Sequence, residues 1–368
     1  MKILVLNWQD IRNPLGGGAE VHLHEIFRRI AAKGHDVTLF CSQFDGAMAD
    51  ETIDGVKVIR EGRRSVFNYL VPLRYQQRFR KEGFDVVVDD INKIPFYTPW
   101  YVKEPLVGIL HHLFGKSIFS ETNVAGALYV LAAEHLATSV YRNTPMVVVS
   151  ESTRQELLSN GFQEGNLKIV SNCVDHSLYK PMTSARPQTI GYLGRLKNYK
   201  SVEDLLYAFE IVHREFPDLR LVILGEGDAR EGLERIAREL TISVRVDFLG
   251  HVSQIEKVSY LNQMKYVVNT SSKEGWGLTV IEANACGVPV IASDVPGLRD
   301  SVLDSRTGLL YEYGNIEQLA EKMLLLLRDD NLRSRLAAEA LEWSRTFEWD
   351  SSADAMLEVL EQTRSAPA

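Results

Sequence analysis

The chain has 368 residues, of which 45% are hydrophobic and 24% charged, a composition typical of soluble globular proteins, and its length predicts two domains. The net charge of −8 argues against a nucleic-acid-binding protein. The cysteines Cys41, Cys173 and Cys286 are widely separated and suggest neither a disulfide framework nor a metal site. We therefore expect a reducing cytoplasm as the location, and the apolar start, Ile3 to Leu6, is too short for a signal peptide or a membrane span.

The N-terminal sequence predicts a strand, a glycine loop, a helix and a second strand, in that order. Lys2 to Asn7 is a buried-strand run, and Gly16 to Gly18 precede a segment with helical periodicity, Ala19 to Ala32. Asp36 to Phe40 is the next strand. This order is typical of a βαβ unit in a Rossmann-like fold, although GGGAE is not the dinucleotide fingerprint. The glycines either approach a ligand or merely turn the chain.

Four further strands alternate with helical stretches, which predicts a mostly parallel sheet covered on both faces. They are Val56 to Arg60, Val86 to Asp89, Leu106 to Leu110 and Met146 to Val149. His111 and His112 directly follow one of them, at the edge where such sheets bind ligands. Each is a candidate contact for a substrate hydroxyl or a developing charge, or is bonded locally for structural reasons. Asp89-Asp90 is expected only to end a strand.

A basic segment, Lys57 to Lys81, contains eight Lys and Arg residues and one acid, Glu61, with aromatic and aliphatic residues between them. In an acidic protein this local reversal could mark a surface for anionic lipid headgroups. A solvated helix face is the favoured interpretation, because charge runs usually indicate that.

A proline-containing segment, Tyr179 to Thr189, predicts a domain boundary. Beyond it the alternation of strands and helices begins again, which predicts a second doubly wound domain and a ligand cleft between the two. The predicted strands are Ile190 to Leu193, Leu219 to Leu224, Val244 to Leu249 and Tyr266 to Asn269, and the helices are Val202 to Glu215, Glu231 to Leu240 and Ile255 to Asn262.

Charged residues and glycines follow the strands of this second half. Arg195 and Lys200 stand five residues apart, and two fixed cations near a helix start could bind a diphosphate. Taken alone, they could equally be surface charges. Gly225 begins another glycine-rich turn, Gly225-Glu226-Gly227-Asp228.

The segment Ser271 to Arg299 combines a glycine loop, a helical run and a buried strand. The run Leu278 to Cys286 ends at Gly287, and Val288 to Ala292 is apolar and β-branched. A loop before a helix start binds anions, because the first N–H groups lack partners. Glu274 and Glu282 could accept bonds from vicinal hydroxyls, or could be a helix-start acid and a solvated side chain.

Six ordered motifs resemble the family-4 retaining glycosyltransferases of GT-B fold (glycosyl transferases group 1). They are GGGAE from Gly16, NCVD from Asn172, GRLKNYK from Gly194, LGEGD from Leu224, LGHVS from Leu249 and EGWGLTVIEANACGVPVIASDVPG from Glu274. The resemblance covers nearly the whole chain. Asn172-Cys173 stands where many relatives have Asn-Gly, and Trp276 stands where Phe is more usual.

The resemblance implies an α/β fold with two Rossmann-like domains facing a central cleft, an acceptor domain at residues 1–182 and a donor domain at 183–348. A last helix, about residues 349–368, would cross back to the first domain. Three C-terminal helices are predicted from periodicity at Ile316 to Leu327, Leu332 to Arg345 and Ser351 to Gln362.

The resemblance also implies the roles of the site residues. Arg195 and Lys200 would bind the diphosphate, Glu282 the ribose, and Glu274 the transferred sugar, with His111 beside the reacting carbon. Further donor contacts would come from Gly17, Gly18, Gly225, Val252, Gly275, Trp276, Gly277 and Leu278. The acceptor side would be Gly16, Gly17, His111 and His112, and which histidine faces the reacting carbon is left open.

The implied activity is transfer of a hexose-type sugar, with retention and without a metal or other cofactor, from a UDP- or GDP-sugar to a hydroxyl acceptor. The expected pathway is synthesis of cell-surface polysaccharide, glycolipid or another glycoconjugate, with peripheral contact to an anionic membrane at its inner face. Charge on the leaving diphosphate would be stabilised by Arg195, Lys200 and helix-start N–H groups. A nucleotide-sugar epimerase of similar fold and a non-catalytic nucleotide-binding protein are the alternatives.

Overall fold

A computed structural model describes residues 1–91, 93–182 and 188–366 of the chain. The chain forms two compact units. The first contains Met1–Asn172 and the segment from Trp349 onward, and the second contains Cys173–Glu348. The division therefore falls earlier than the boundary expected after residue 182, and residues 183–187 beside that boundary lie outside the described residues.

The first unit is built on an eight-stranded sheet in the order β3-β4-β2-β1-β5-β6-β7-β8. Its strands are β1 (Lys2–Leu6), β2 (Asp36–Gln43), β3 (Asp50–Ile53), β4 (Val56–Arg63), β5 (Val86–Ile91), β6 (Leu106–Leu110), β7 (Met146–Val148) and β8 (Leu167–Ile169). Only the β3–β4 pair is antiparallel among the strands described. The helices are α1 (Gly18–Ala32), α2 (Phe67–Gln77), α3 (Val124–Val140) and α4 (Glu151–Ser159).

The second unit contains a parallel six-stranded sheet in the order β11-β10-β9-β12-β13-β14. Its strands are β9 (Thr189–Leu193), β10 (Arg220–Leu224), β11 (Val246–Gly250), β12 (Val267–Asn269), β13 (Val290–Ser293) and β14 (Gly308–Tyr311). The helices are α5 (Val202–Glu215), α6 (Arg230–Glu239), α7 (Gln254–Gln263), α8 (Leu278–Ala285), α9 (Leu298–Ser301), α10 (Ile316–Arg328) and α11 (Asp330–Ser344).

The final helix, α12 (Trp349–Ser365), belongs to the first unit. It packs against α1, and Asp350 accepts a hydrogen bond of 2.6 Å from Arg29 of that helix. Ser352 also donates to the backbone oxygen of Ser171 at 3.0 Å. The chain thus begins and ends in the same unit.

Hydrophobic burial explains why these elements form. The central strands β1, β5 and β6 are almost wholly buried and rich in Ile, Leu and Val, as expected of parallel strands covered on both faces. In α5 the buried residues recur at helical spacing, with Leu205, Phe209 and Val212 facing the core of the second unit. The predicted α/β architecture with parallel sheets is confirmed.

Parallel order places the carboxyl ends of neighbouring strands together. In the first sheet Leu6 of β1 pairs with Asp89 of β5, and Asp90 pairs with Ile109 of β6. The Gly16–Gly18 loop after β1, Asp90 near the end of β5 and His111 after β6 therefore lie at the carboxyl ends of three adjacent strands. This edge is where open α/β sheets bind ligands.

The interpretation of Lys57 to Lys81 as a solvated helix face is wrong. The segment spans β4 and α2 rather than one helix, and its Arg60 side chain is fully buried in ion pairs with Asp10 and Glu51. Arg74 pairs with Glu61. The basic residues therefore divide between internal pairs and exposed side chains.

Candidate functional site

Two glycine loops pack backbone against backbone at the ends of β9 and β10. Leu196 donates its N–H to the oxygen of Glu226 at 2.8 Å, and Ala229 donates to the oxygen of Leu196 at 3.1 Å. A Cβ on Gly225 would lie 1.9 Å from the carbonyl oxygen of Gly194, and one on Gly227 would lie 2.0 Å from that of Leu196. Glycine is therefore required at both positions, and the two loops form one backbone surface.

Arg195 and Lys200 lie on the first of these loops but in different environments. The Arg195 side chain is exposed and has no ion pair or hydrogen bond to any residue that the structure describes. Lys200 is largely buried and forms an ion pair with Glu274, whose Oε1 also accepts a hydrogen bond of 2.9 Å from Ser271. Burial lowers the pKa of Lys200, but Glu274 and Tyr199 together outweigh burial and the pKa is raised. Lys200 is therefore a cation already paired with the predicted sugar-binding acid.

The loop from Glu274 to Leu278 is held by a second close backbone approach. Gly277, at φ +82°, is the N-cap residue of α8. A Cβ on Gly297 would lie 2.3 Å from the Glu274 carbonyl oxygen. The Gly277 turn directs the chain into α8, whose first N–H groups lack partners within the helix. This arrangement suits an anionic or hydroxylated ligand.

Trp276 differs from its neighbours because its side chain is 6% exposed. Its ring packs edge-on against Phe347, with centroids 5.1 Å apart. The Trp276 side chain thus contributes to packing, and only its backbone is placed to contact a ligand in the loop.

Glu282 of α8 is held by two residues that the sequence did not single out. Its Oε1 accepts hydrogen bonds from Lys257 at 2.7 Å and from Tyr179 at 2.9 Å. Its Oε2 is buried without a partner among residues 1–91, 93–182 and 188–366. Val252 is half-buried between β11 and α7. The carboxylate therefore has a fixed orientation and one oxygen left for a ligand hydroxyl.

In the first unit, the glycine loop leads directly into α1. Gly17 is the N-cap residue, and its N–H donates to Oε2 of Glu20 at 2.6 Å. Gly18 is the first residue of α1, and a Cβ there would meet nothing within 4 Å. Asp10, earlier in the same loop, accepts two hydrogen bonds from Arg60, at 2.6 and 3.0 Å. A buried ion pair therefore fixes the segment that precedes the glycines.

His111 lies in a cluster of buried ionisable groups. Its Nε2 is 3.1 Å from Oδ1 of Asp90, and its ring centroid is 5.2 Å from that of His22. Burial lowers the pKa of His111, but Asp90 and Glu20 outweigh burial and the pKa is raised. Asp90 therefore does more than end a strand: it is the ion-pair partner of His111, which corrects the sequence-based expectation.

His112 points to a different environment. Its ring packs against Phe114, with centroids 4.6 Å apart, and it lines a small apolar pocket beneath α3 that includes Glu134 and Tyr141. Glu134 accepts hydrogen bonds from the N–H groups of Phe114 and Gly115. The structure thus brings His111, and not His112, into the charged cluster near the glycine loop.

Several residues of these sites were missed by sequence reasoning. Glu20, His22 and Asp90 surround His111, and Tyr179 and Lys257 hold Glu282. Two of them had a usable signal, since Glu20 is the last residue of the GGGAE motif and Asp90 lies near the end of the strand next to the one that precedes His111. The described part of the chain contains no group of three or more His, Cys, Asp or Glu residues placed to bind a metal ion.

Two protein-family models match the chain. Residues 180–343 match the model described as Glycosyl transferases group 1, and residues 16–178 match Glycosyltransferase Family 4. The chain is similar to glycogen synthase of Mycobacterium tuberculosis, with 25% identity over 98% of this chain and 94% of that protein.

Two solved structures share the fold. Sucrose-phosphate synthase from Thermosynechococcus elongatus has a TM-score of 0.83 at 20% identity and covers 98% of both chains. Anabaena HepE, in complex with UDP and glucose, has a TM-score of 0.78 at 21% identity and covers 98% of this chain and 100% of its own. The predicted GT-B fold of two Rossmann-like domains is confirmed.

Proposed function

Because this chain belongs to the group 1 glycosyltransferases, with an N-terminal domain of glycosyltransferase family 4, we propose that it transfers a hexose-type sugar from a UDP- or GDP-sugar to a hydroxyl acceptor with retention of configuration. The carrying observation is the exposed, unpartnered guanidinium of Arg195 on a rigid glycine loop beside the Lys200–Glu274 pair. A guanidinium without a partner in the described chain is suited to bidentate binding of phosphate oxygens.

The second unit binds the donor in this proposal. Arg195 and Lys200 bind the diphosphate, and Glu274 with the backbone of Gly275 to Leu278 binds the transferred sugar. The free Oε2 of Glu282 accepts a ribose hydroxyl, and Gly225 and Val252 line the nucleotide. HepE, which has the same fold, was solved with UDP and glucose, which supports a nucleotide-sugar donor.

Donor binding changes the Lys200–Glu274 pair. The Lys200 ammonium contacts the diphosphate, and the Glu274 carboxylate accepts hydrogen bonds from sugar hydroxyls in place of Lys200. Both groups are partly withdrawn from water, which strengthens their interaction with the ligand. The pair therefore keeps each charge in place before the donor arrives.

Bond breaking places negative charge on the diphosphate and positive charge on the sugar ring. Arg195, Lys200 and the first N–H groups of α8 stabilise the leaving group without reorganisation. We propose that the acceptor attacks on the same face and gives its proton to the leaving phosphate. Because protein cations perform the stabilisation, transfer proceeds without a metal, and we expect turnover to be unchanged by EDTA.

The first unit provides the acceptor side through Gly16, Gly17 and His111, with His112 near it, while Gly17 and Gly18 also contact the donor. The N–H of Gly17 is taken up by Glu20, and the first N–H groups of α1, from Gly18 onward, favour a polar substrate. The acid–imidazole cluster at His111 lies at the same edge of the sheet. This placement supports a substrate contact rather than a core role for His111.

The decisive variant is Arg195→Ala, assayed against a panel of UDP- and GDP-hexoses. We expect turnover to fall on the order of 100- to 1,000-fold, as for removal of a preorganised charge partner. Arg214→Ala is the matched control, since Arg214 is exposed on α5 of the same unit and its one ion pair to the described residues is with Glu210. Near-normal turnover of Arg195→Ala with an unchanged unfolding midpoint would contradict the assignment. Formation of an epimer from donor alone would indicate an epimerase instead.

We also propose peripheral contact with anionic membrane through one surface of the first unit. Among the described residues, no helix has the length and hydrophobicity needed to span a bilayer. However, the outward face of α3 is uncharged and exposes Val124, Leu128, Tyr129 and Leu136. We call these four residues the α3 apolar face. Exposed apolar patches of this kind mark interaction surfaces.

Neighbouring segments add aromatic and basic groups to this surface. Tyr97 donates to the oxygen of Ala133 in α3 at 3.2 Å and stacks on the exposed Trp100. Lys116, in the short helical turn that packs against α3, is exposed and has no ion pair to the described residues. An apolar face with nearby aromatic and cationic side chains suits a bilayer interface with anionic headgroups. An acceptor in glycolipid or cell-surface polysaccharide synthesis would be reached there.

Vesicle cosedimentation tests this surface. The protein should bind vesicles of phosphatidylglycerol and phosphatidylcholine more strongly than vesicles of phosphatidylcholine alone. The double variant Leu128→Asp/Leu136→Asp should abolish that binding, whereas Val244→Asp, at a still more exposed apolar residue of the second unit, should not. Equal binding by all three proteins would refute the proposal.

A further inference from the structure

Three buried ionisable side chains from three elements converge in the first unit. Glu20 lies in the first turn of α1, Asp90 in β5, and His111 directly after β6. Glu20 is 7% exposed and Asp90 is completely buried, and the His111 side chain is 13% exposed. The register of the sheet explains the convergence, because Asp90 pairs with Ile109, two residues before His111. We call these three residues the His111 cluster.

Their geometry favours a positively charged imidazole. Nε2 of His111 lies 3.1 Å from a carboxylate oxygen of Asp90, and Glu20 also attracts the charge of His111. A buried carboxylate without a cation is costly, and two of them close together are more so. Protonation of His111 gives both acids a counter-charge, which is consistent with the raised pKa of His111.

The other histidine that faces the cluster does not add a second positive charge. Nε2 of His22 is 3.0 Å from the carbonyl oxygen of Val170, so this nitrogen donates the hydrogen bond. Burial, together with the charge of His111, lowers the pKa of His22 to about 3. The ring of Trp349 in α12, which lies 6.2 Å from that of His22, is uncharged. His111 is therefore the cation that Asp90 and Glu20 share.

We propose that Asp90 and Glu20 are positioning residues that hold His111 as an oriented imidazolium, so that its second ring N–H is available to a substrate. The Asp90 carboxylate lies at ion-pair distance from Nε2, and Nδ1 has no hydrogen-bond partner among the described residues. Glu20 also accepts the N–H of Gly17, so the orientation of the imidazolium is coupled to that of the glycine loop. A protonated His111 donates a hydrogen bond and does not accept a proton, so its role is electrostatic and not that of a general base.

The first experiment measures the proton on His111 directly and does not require a substrate. Histidine-selective ¹³C and ¹⁵N labelling of the full-length protein gives a titration curve for each imidazole, and His111→Gln identifies the His111 signal. We expect a midpoint above the ordinary value of about 6.5 in the unaltered protein. In Asp90→Asn the midpoint should fall by roughly one pH unit or more, and in Glu20→Gln by less.

The chain provides a matched control. Asp54 pairs with His24 at 2.8 Å in the same unit, but Asp54 is 64% exposed. Asp54→Asn should leave the His111 midpoint unchanged. A His111 midpoint at or below 6.5 in the unaltered protein would overturn the proposal, even if Asp90→Asn failed to fold. An unchanged midpoint in folded Asp90→Asn would overturn it as well.

The second experiment links the charge to the reaction and rests on the proposed transferase function. The pH profile of kcat/KM, with the UDP- or GDP-hexose found active, should fall as pH rises through the measured His111 midpoint. In Glu20→Gln the falling limb should move to lower pH with the midpoint. A profile that does not follow the midpoint would overturn the positioning role. Absence of all transfer would instead contradict the proposed function, while the titration remained a test of the cluster.

Discussion

The two units arrange their candidate site residues in different ways. In the first, Glu20, Asp90 and His111 are buried together, so one proton influences several side chains. In the second, the cations Lys200 and Lys257 are each paired with one acid, Glu274 and Glu282, beside loops that pack backbone to backbone. Proton occupancy should therefore control the first site, and loop geometry the second.

The same contrast applies to the glycines. Gly18 of the first unit has open space where a Cβ would be, whereas Gly225 and Gly227 have carbonyl oxygens about 2 Å from that position. The second unit therefore requires glycine for steric reasons, and the first uses its glycines to present the start of α1. Each prediction below changes one side of this contrast.

The largest effect is expected at the buried pair before the first glycine loop. Arg60→Met removes the cation but leaves Asp10 and Glu51 buried without it. Breaking a buried ion pair in this way costs about 3 to 5 kcal/mol of unfolding free energy. Urea unfolding measures the loss, and hydrogen exchange should place it in the first unit. Arg214→Met, at an exposed pair of the second unit, should cost less than about 1 kcal/mol.

The second prediction concerns the loss of stability at low pH that is caused by the buried His22. The folded pKa of His22 is about 3, below the ordinary value of 6.5, so the unfolded chain takes up this proton first as pH falls. The stability gained by keeping His22 neutral is complete above about pH 6.5 and is lost as pH falls towards 3. Between pH 7 and 4.5 we expect a loss of about 2 to 3 kcal/mol from this residue.

His22→Gln isolates that contribution. Glutamine retains an N–H donor for Val170 but does not titrate, so the difference in stability between the two proteins should narrow as pH falls. Asp89 acts in the opposite direction. Burial raises the pKa of Asp89 to about 6, so its protonated form stabilises the folded state at low pH. This contribution to stability is lost as pH rises from about 4 to 6. A difference that is constant with pH would show that His22 is not buried in its neutral form.

The sequence revealed elements whose pattern is set within the element itself. Long apolar runs such as Leu106 to Leu110 identified strands, and the periodicity of Val202 to Glu215 identified α5, because one element determines each signal. β3, β8 and β14 were missed: β3 is polar and antiparallel, and β8 is only three residues long.

Ion-pair partners were hidden for a different reason. Asp10 and Arg60 are 50 residues apart, and Lys200 and Glu274 are 74 apart. Pairing at such separations is decided by strand order, which periodicity does not specify. The motif residues were visible because they cluster within short loops, whereas Lys257 and Tyr179 lie on separate elements and have no motif of their own.

The third prediction tests the backbone surface of the second unit. Gly227→Ala places a Cβ about 2 Å from the Leu196 carbonyl oxygen, so the Arg195 loop must shift. We expect a loss of about 1 to 3 kcal/mol in stability, with weaker protection by UDP or GDP in thermal-shift assays. Gly232→Ala, on α6 with nothing within 4 Å, should instead stabilise by about 0.5 to 1 kcal/mol. Equal effects of the two changes would contradict the close packing of the loops.

The smallest effect is expected from Lys257→Met, which probes whether paired charges in the second unit are prearranged for a ligand. Glu282 would keep Tyr179 as a partner but lose the ammonium that neutralises it, while methionine preserves most of the side-chain volume. A carboxylate with one partner is held less firmly, so we expect affinity for UDP or GDP to fall about 3- to 10-fold, or about 1 kcal/mol. Lys197→Met, at a more exposed pair with Asp228 in the same unit, should change affinity less. Calorimetric titration measures both, and tighter binding by Lys257→Met would mean that Lys257 competes with the ligand for Glu282 instead of orienting it.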